Sequence, residues 1–314
     1  MNQSRKLTEG AVMTALFAVL TAATVYIPVL GIIFVWILPL PLLIYTIRFG
    51  PKPGAMVLAV SFVVSLLIAS AFAIPLVLLF AVGGYVVGIS YYRKRSAFQT
   101  LYAGSISYIF TLVLLFVGSV VILDIHPFEA LQSGMEDSVD SAEQVLTSLD
   151  QEVDEEQLDM YRDNIGQIPQ VAPLIMVMTG IGYAFLTQVI SHQFLRRFTS
   201  RAYRFPPLRE WSLPRFFLWF YLAGIIMSLA VIEDQGTTMH MIVSNIFPLL
   251  EFAMIIQGAS VMFQFVYMRN ITRALPILIL FPGLMLPLVQ VFVRILGILD
   301  IGLDLKNRIK SEKK

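Results

Sequence analysis

The chain has 314 residues, of which 57% are hydrophobic and 14% charged, and its formal net charge is +1. A soluble domain carries about 25% charged residues, so this composition excludes an ordinary water-soluble protein. The chain has no cysteine, which excludes disulfide bonds and thiolate metal sites.

Apolar stretches without charge recur along the chain, and many approach the ~20 residues that a helix needs to cross a bilayer. We therefore predict an all-α polytopic membrane bundle of about eight transmembrane helices, with nine as the alternative. The first span follows a short basic segment, and its apolar run contains no small-residue cleavage site. We therefore expect a first span that is not removed as a signal peptide. The predicted spans cover residues 10–29, 32–47, 98–123, 169–194, 214–232 and 239–268. Residues 54–92 are predicted to form two further short helices, with a break near residues 73–75.

The final apolar stretch, residues 274–299, contains Pro276, Pro282 and Pro287. Proline removes a backbone donor and kinks a helix, so a single straight span is a poor fit. One interpretation is a re-entrant pair that leaves the basic tail in the cytoplasm. The other is a ninth crossing, which would put the tail outside.

Basic residues decide the orientation, because cytoplasmic loops of membrane proteins are enriched in lysine and arginine. Four basic clusters lie on one side of the membrane if the N-terminus is cytoplasmic: Arg5/Lys6, Arg48/Lys52, Arg93–Arg95 and Arg196–Arg215. The sequence thus predicts a multi-pass protein of the cell (plasma) membrane with a cytoplasmic N-terminus. In the fourth cluster, Tyr203, Phe205 and Trp211 suit the headgroup level, and we expect lipid contact there and no nucleic acid.

These features divide the chain into four sections. We expect a five-helix N-terminal membrane section (1–123), an acidic amphipathic extracytoplasmic loop (124–168), a sixth helix (169–200) and a C-terminal membrane section with a basic tail (201–314). The loop holds 13 of the 21 acidic residues and one basic residue, Arg162. Its apolar residues recur every three or four positions, which predicts one amphipathic helix or two short ones. This helical cap is either a solvated cover or a vestibule that attracts cations.

Glu251 is the clearest polar residue at membrane depth, about 18 Å along its helix at 1.5 Å per residue. Asn245, Gln257 and Gln264 lie on the same predicted helix. Ionisable residues inside the membrane are functional candidates, so this helix is a candidate ligand or proton pathway. The alternative is hydrogen bonding between helices, with Glu251 protonated.

Small residues four positions apart, Ala11 and Ala15, mark the first helix. Such spacing allows close helix approach, either within the bundle or against another membrane protein. We find no catalytic motif, and the three histidines have no partner at metal-ligand spacing. We therefore expect no enzymatic activity, no cofactor and no metal.

Two resemblances follow from longer segments. Residues 7–95, with Leu7–Ala15, Arg48–Ala55 and Gly83–Gly88 running into Arg93–Arg95, resemble the substrate-binding (S) components of energy-coupling-factor vitamin transporters. The whole chain resembles the YybS-like family of uncharacterised bacterial membrane proteins, through Gln257–Val261 and Gly297–Asp304.

The first resemblance implies a six-helix unit, completed by residues 169–200, that binds an unknown small molecule and docks a membrane coupling subunit through Ala11 and Ala15. The acidic loop and the C-terminal helices have no counterpart in S components. Other functions therefore remain open: a non-transporting membrane partner or regulatory protein, and a self-energised transporter that uses Glu251.

Overall fold

The protein is described by a computed structural model that covers residues 3–149, 155–196, 204–231, 237–269, 271–272, 274–283, 285–306 and 308. Every regular element in these residues is helical, which confirms the all-α class. The chain forms two compact units, Met1–Arg204 and Phe205–Lys314.

The first unit contains ten α-helices among the described residues, with a short 3₁₀ turn at Ser70–Phe72 and a π-helical segment at Val77–Ala81. The helices are α1 Gln3–Tyr26, α2 Pro28–Ile37, α3 Leu40–Phe49, α4 Pro51–Ala69, α5 Ala73–Leu76, α6 Val82–Tyr92, α7 Ala97–Leu123, α8 Pro127–Ser148, α9 Glu155–Gly166 and α10 Ala172–Leu195.

The long apolar stretch 51–92 folds back on itself, as predicted. The chain breaks at Ser70–Phe72, where Ser70 adopts a left-handed φ of 49°. The hydroxyl of Tyr85 in α6 then donates to the carbonyl oxygen of Pro51 at the start of α4, 3.1 Å away. A Cβ at Gly50, just before α4, would also lie 3.0 Å from the ring of Tyr92 at the end of α6. The start of α4 therefore lies beside α6, so the two halves run antiparallel.

The predicted second span differs in detail from the structure. The chain turns at Ile27, and α2 begins at Pro28 and continues through Gly31, between the predicted spans 10–29 and 32–47. Pro28 occupies the first position of α2, where its missing N–H costs nothing. Two residues then separate α2 from α3, so this span is two short helices.

Close packing holds the first unit together. The buried hydroxyls of Tyr108 in α7 and Thr187 in α10 lie 2.8 Å apart and share a hydrogen bond. Glycines in α6 allow this helix to approach α3 closely, because a Cβ at Gly88 would lie 3.0 Å from the carbonyl oxygen of Leu43 in α3. A neighbouring glycine, Gly84, meets the backbone of Pro39. The glycines of α6 therefore serve internal helix packing.

The second unit contains four α-helices among its described residues, preceded by a 3₁₀ turn at Leu208–Glu210. Residues Tyr221 of α11, Met254 of α12 and Ile301 of α14 are buried together in one apolar cluster. The helices are α11 Phe216–Ala230, α12 Thr238–Met268, α13 Ala274–Gly283 and α14 Pro287–Leu303.

Helices α12 and α14 run parallel to each other. Glu251 pairs with Arg294, and further along both helices Gln257 bonds Asp300. Helix α13 brings the chain back between them, so α14 ends on the same side as the end of α12 at Met268. Residues 274–299 therefore form a pair of helices that turns back on itself. They do not cross the membrane once as a single helix.

Among the residues that the structure describes, six helical segments are long and apolar enough to cross a bilayer. One of them, Pro51–Tyr92, is the antiparallel pair of 42 residues, and the shorter apolar helix α11 has 15 residues. At 1.5 Å per residue, α11 is about 22 Å long, somewhat less than the ~30 Å hydrocarbon core. The structure thus supports a polytopic membrane bundle of about six to eight spans.

Candidate functional site

The predicted polar helix, α12, packs along α14 at a contact that two glycines make possible. A Cβ added to Gly258 would overlap the carbonyl group of Val293, and one added to Gly297 would overlap that of Met254. Backbones this close bring even short side chains within hydrogen-bonding range. We call this contact, with the polar residues along it, the α12–α14 seam.

The first polar pair in the seam joins Glu251 and Arg294. The guanidinium of Arg294 contacts the carboxylate of Glu251, and the two side chains are 18% and 28% exposed. The carboxylate that the sequence placed at membrane depth therefore has a guanidinium partner on the neighbouring helix α14.

The second polar group centres on Asp300, whose side chain is 3% exposed. Its Oδ2 accepts a hydrogen bond from Nε2 of Gln257, and its Oδ1 accepts one from the backbone N–H of Lys306 at 2.8 Å. The Oε1 of Gln257 in turn accepts from the backbone N–H of Leu213 at 2.9 Å. One aspartate and one glutamine thus connect α14, α12 and the segment before α11.

Lys306 completes this group from just beyond α14. Its Nζ lies 3.3 Å from Asp300 Oδ2 and 3.0 Å from the Ser260 hydroxyl, and it also donates to the carbonyl oxygen of Trp211. The Ser260 hydroxyl donates to that same carbonyl oxygen at 2.8 Å. All three ammonium donors therefore have acceptors, as a buried lysine requires.

These contacts decide what the seam can do chemically. A satisfied network of paired charges fixes helix positions, because breaking one partner of a buried pair costs about 3–5 kcal/mol. The Asp300–Lys306 group is closed, with its donors and acceptors turned toward each other. The Glu251–Arg294 pair is more open, and it is the part of the seam best placed to exchange a proton or meet a ligand.

The other two predicted residues of α12 lie elsewhere along the helix. Asn245 is half-buried, and its Nδ2 donates to the carbonyl oxygen of Met241, one turn earlier, at 2.8 Å. Gln264 is buried, at 2% exposure, near the end of the helix. Among the described contacts, those of Glu251 and Gln257 place these two residues in the seam.

The sequence interpretation missed three contributors: Asp300, Lys306 and Ser260. Asp300 sits in an otherwise apolar helix, and an aspartate there needs a cationic partner. The nearest downstream cation is Lys306, which had been assigned to the basic tail. Only the parallel packing of α12 and α14 shows that Ser260 faces both.

In the first unit, Ala11 and Ala15 both lie exposed on α1, whereas Phe17 and Ala18 of the same helix are buried. One face of α1 packs into its unit, and the predicted docking face is left open. The buried face carries other small residues of the helix, Gly10 and Ala18.

The acidic cap forms two helices, α8 and α9, tied by Arg162. Its guanidinium donates to Asp140 at 2.9 Å and to Glu143 at 2.7 Å. These hydrogen bonds raise the pKa of Arg162 above its ordinary value. Beside them lies a groove of about 630 Å³. Its lining is mainly apolar: Met135, Val139, Ala142, Leu146, Leu158, Tyr161, Ile165 and Ile168, with Ser138, Glu143 and Asn164.

The fold and these two units define a multi-pass membrane protein. Residues 15–301 match the family described as predicted membrane protein (DUF2232), and the chain belongs to this family. It is 30% identical to a Bacillus subtilis (strain 168) protein described as "Uncharacterized protein YybS", over 311 residues that cover 99% of this chain and 100% of the relative. No solved structure gives a significant match.

The YybS-like resemblance is therefore confirmed. The two segments that carried it, Gln257–Val261 and Gly297–Asp304, pack against each other in the α12–α14 seam.

Proposed function

We propose that this protein is an S-component-like binding and uptake component for a small molecule in the bacterial plasma membrane. It works without enzymatic chemistry, and a separate membrane coupling subunit supplies the energy. The resemblance of residues 7–95 to S components motivates this proposal. The first unit, which contains the six predicted spans of such a component, is compact by itself.

The observation that carries the proposal is the open small-residue face of α1. Ala11 and Ala15 are exposed one turn apart, with Val12 and Leu16 beside them at 57% and 45% exposure. Without a hydrophobic driving force in lipid, small residues gain most from close packing against another helix. A face of this kind suits a helix of a coupling subunit.

The groove between α8 and α9 supports the binding role. Its volume of about 630 Å³ is in the range of small-molecule pockets, which run from about 300 to 1,000 Å³. Its mainly apolar lining favours an apolar body on the ligand. The groove thus suits the first capture of a ligand by the cap.

Two measurements on the full chain test the proposal. The purified protein should retain a small molecule that mass spectrometry identifies, and it should co-purify with a membrane coupling subunit from its own membranes. Ala11→Leu with Ala15→Leu should abolish that co-purification. Ala59→Leu, at an exposed alanine of α4, is the matched control and should leave it intact. Retention of neither ligand nor subunit would refute the proposal.

A second candidate function is a non-transporting membrane partner or regulatory protein. The cap favours it, because Val145 and Met160 are each 57% exposed among acidic residues. Apolar side chains within a charged surface are typical of protein contact sites. Crosslinking through the cap in native membranes should then recover a specific protein, and Val145→Ser should reduce its yield. Recovery of no such protein would exclude this function.

A further inference from the structure

A crevice in the second unit has an entirely different character from the polar seam. It lies between α12, α13 and α14 and has a volume of about 380 Å³. All its lining residues are apolar: Val261, Met262, Phe265, Val266, Ile271, Leu275, Pro276, Ile279, Leu296 and Leu305. Phe265 and Ile279 are 43% and 44% exposed, so the crevice opens to the surface of the unit.

Water is a poor occupant of this crevice, because it needs two to four polar partners and the lining offers none. The helices that form the crevice belong to a membrane protein, so their surroundings are acyl chains. A lipid acyl chain can therefore fill the open apolar crevice at a lower free-energy cost than water.

A positive charge stands at one end of the crevice. The guanidinium of Arg269 lies 5.6 Å from the ring centroid of Phe265, which itself lines the crevice. Arg269 ends α12 and is exposed. The guanidinium of Arg209 lies 3.8 Å from the ring of Tyr267, near the same end of α12, although Glu210 lies 3.6 Å from it and partly offsets its charge.

The parallel packing fixes which leaflet this end meets. Helix α14 finishes at Leu303, on the same side as Arg269, and Lys306 and Arg308 follow it there. Asp304 is the acidic residue at this turn, and Lys306 is engaged by Asp300. The positive-inside rule assigns such an end to the cytoplasmic leaflet, which carries the anionic lipids.

We propose that this crevice is a binding site for one anionic phospholipid. An acyl chain occupies the apolar crevice between α12, α13 and α14, and the headgroup phosphate binds Arg269 at its mouth. Basic pockets between transmembrane helices on the cytoplasmic side bind anionic headgroups in this way. The bound lipid fills the gap that the short helix α13 leaves between its two longer neighbours.

Native mass spectrometry of the full chain tests the site. The protein is reconstituted in nanodiscs of phosphatidylglycerol and phosphatidylcholine in equal amounts and then released into mild detergent. We expect it to retain phosphatidylglycerol in preference. Arg269→Gln should lower that preference about fivefold, the effect of one basic residue near an anionic headgroup. Arg93→Gln, in the first unit, is the control and should not change it.

A second pair of variants separates the crevice from general lipid contact. Ile279→Trp should fill the crevice and release both lipids, whereas Ile277→Trp, at a residue of α13 that is 55% exposed, should retain them. If Ile279→Trp fails to fold, Leu275→Phe is the smaller filling variant for the same measurement. Equal retention of the two lipids by the native chain would overturn the proposal. So would a preference that survives both Arg269→Gln and the filling variant.

Discussion

Gly258 of α12 lies directly against the carbonyl group of Val293 in α14, with no room for a Cβ atom between them. One turn away, Gly297 of α14 meets the carbonyl of Met254 in the same manner. The two contacts fix the register of α12 on α14. That register places Gln257 opposite Asp300, so the buried network depends on the two glycines.

Substitution of Gly258 should therefore weaken the second unit. Gly258→Ala forces the two backbones apart, and overpacking of this kind costs about 1–3 kcal/mol. Thermal unfolding in detergent should show a Tm several degrees lower. Gly302→Ala is the control in the same helix pair, since a Cβ there would meet only Leu218 at an ordinary 3.8 Å. Equal effects of the two variants would contradict the close contact.

The ion pair between Glu251 and Arg294 predicts an asymmetric response to mutation. Glu251→Gln leaves the guanidinium without its counter-charge, and because the two side chains are 28% and 18% exposed, the loss should be smaller than the about 3–5 kcal/mol of a fully buried pair. The double variant Glu251→Gln, Arg294→Met should recover most of that loss. Arg95→Gln, an exposed residue, is the control in the same unfolding measurement.

The same variant separates a structural role from a proton pathway. If the pair only holds the helices, proton flux into liposomes, followed with a pH-sensitive dye, should be unchanged by Glu251→Gln. Loss of a flux that the native chain shows, with the fold retained in the double variant, would instead assign the residue to proton movement.

Lys306 and Asp300 make a stronger prediction, because their side chains are only 9% and 3% exposed. Lys306→Met leaves the Asp300 carboxylate buried without a cation, so the end of α14 should detach from α12. Limited proteolysis should then cut within the C-terminal residues much faster than in the native chain. Asp300→Asn together with Lys306→Met should restore resistance. Lys52→Met, at an exposed lysine, should have no effect.

The sequence predicted the spans well where hydrophobic length alone decides them. The break near residues 73–75 was predicted from length and Pro75, and the structure places it at Ser70–Phe72. Glu251 was identified because a carboxyl at membrane depth needs an explanation. Its partner, Arg294, could not be paired with it, because residues 274–299 allowed either a single crossing or a pair of helices.

The seam itself depends on tertiary packing that no local pattern encodes. Gln257 and Glu251 are six residues apart on α12, which places their side chains on different faces of the helix. The close backbone approach at Gly258 lets α14 reach both positions. Lys306 lies beyond the last helix, so its burial follows only from the position of Trp211 and Ser260.

The cap predicts a local effect. Arg162 joins α8 and α9 through Asp140 and Glu143 at the surface, and exposed ion pairs contribute little to the stability of the whole chain. Arg162→Gln should therefore speed amide hydrogen exchange in α8 and α9 and leave the Tm of the whole chain unchanged. High salt should have the same effect on the native protein, because it screens exposed charges. Amide hydrogen exchange that stays slow in both cases would show that Arg162 does not hold α8 and α9 together.

The parallel arrangement of α12 and α14 makes the sharpest topological prediction. The chain has no cysteine, so a single introduced cysteine reports its own position without background. In right-side-out vesicles, an impermeant maleimide should fail to label Arg269→Cys and Arg308→Cys. It should label Asp137→Cys in α8 and Met239→Cys at the start of α12, which are exposed. In inverted vesicles the pattern should reverse. Because α13 returns the chain before α14 begins, Arg269 and Arg308 must share a side. Labelling of these two cysteines from opposite faces would mean that residues 274–299 cross once and that the α12–α14 seam cannot form as described.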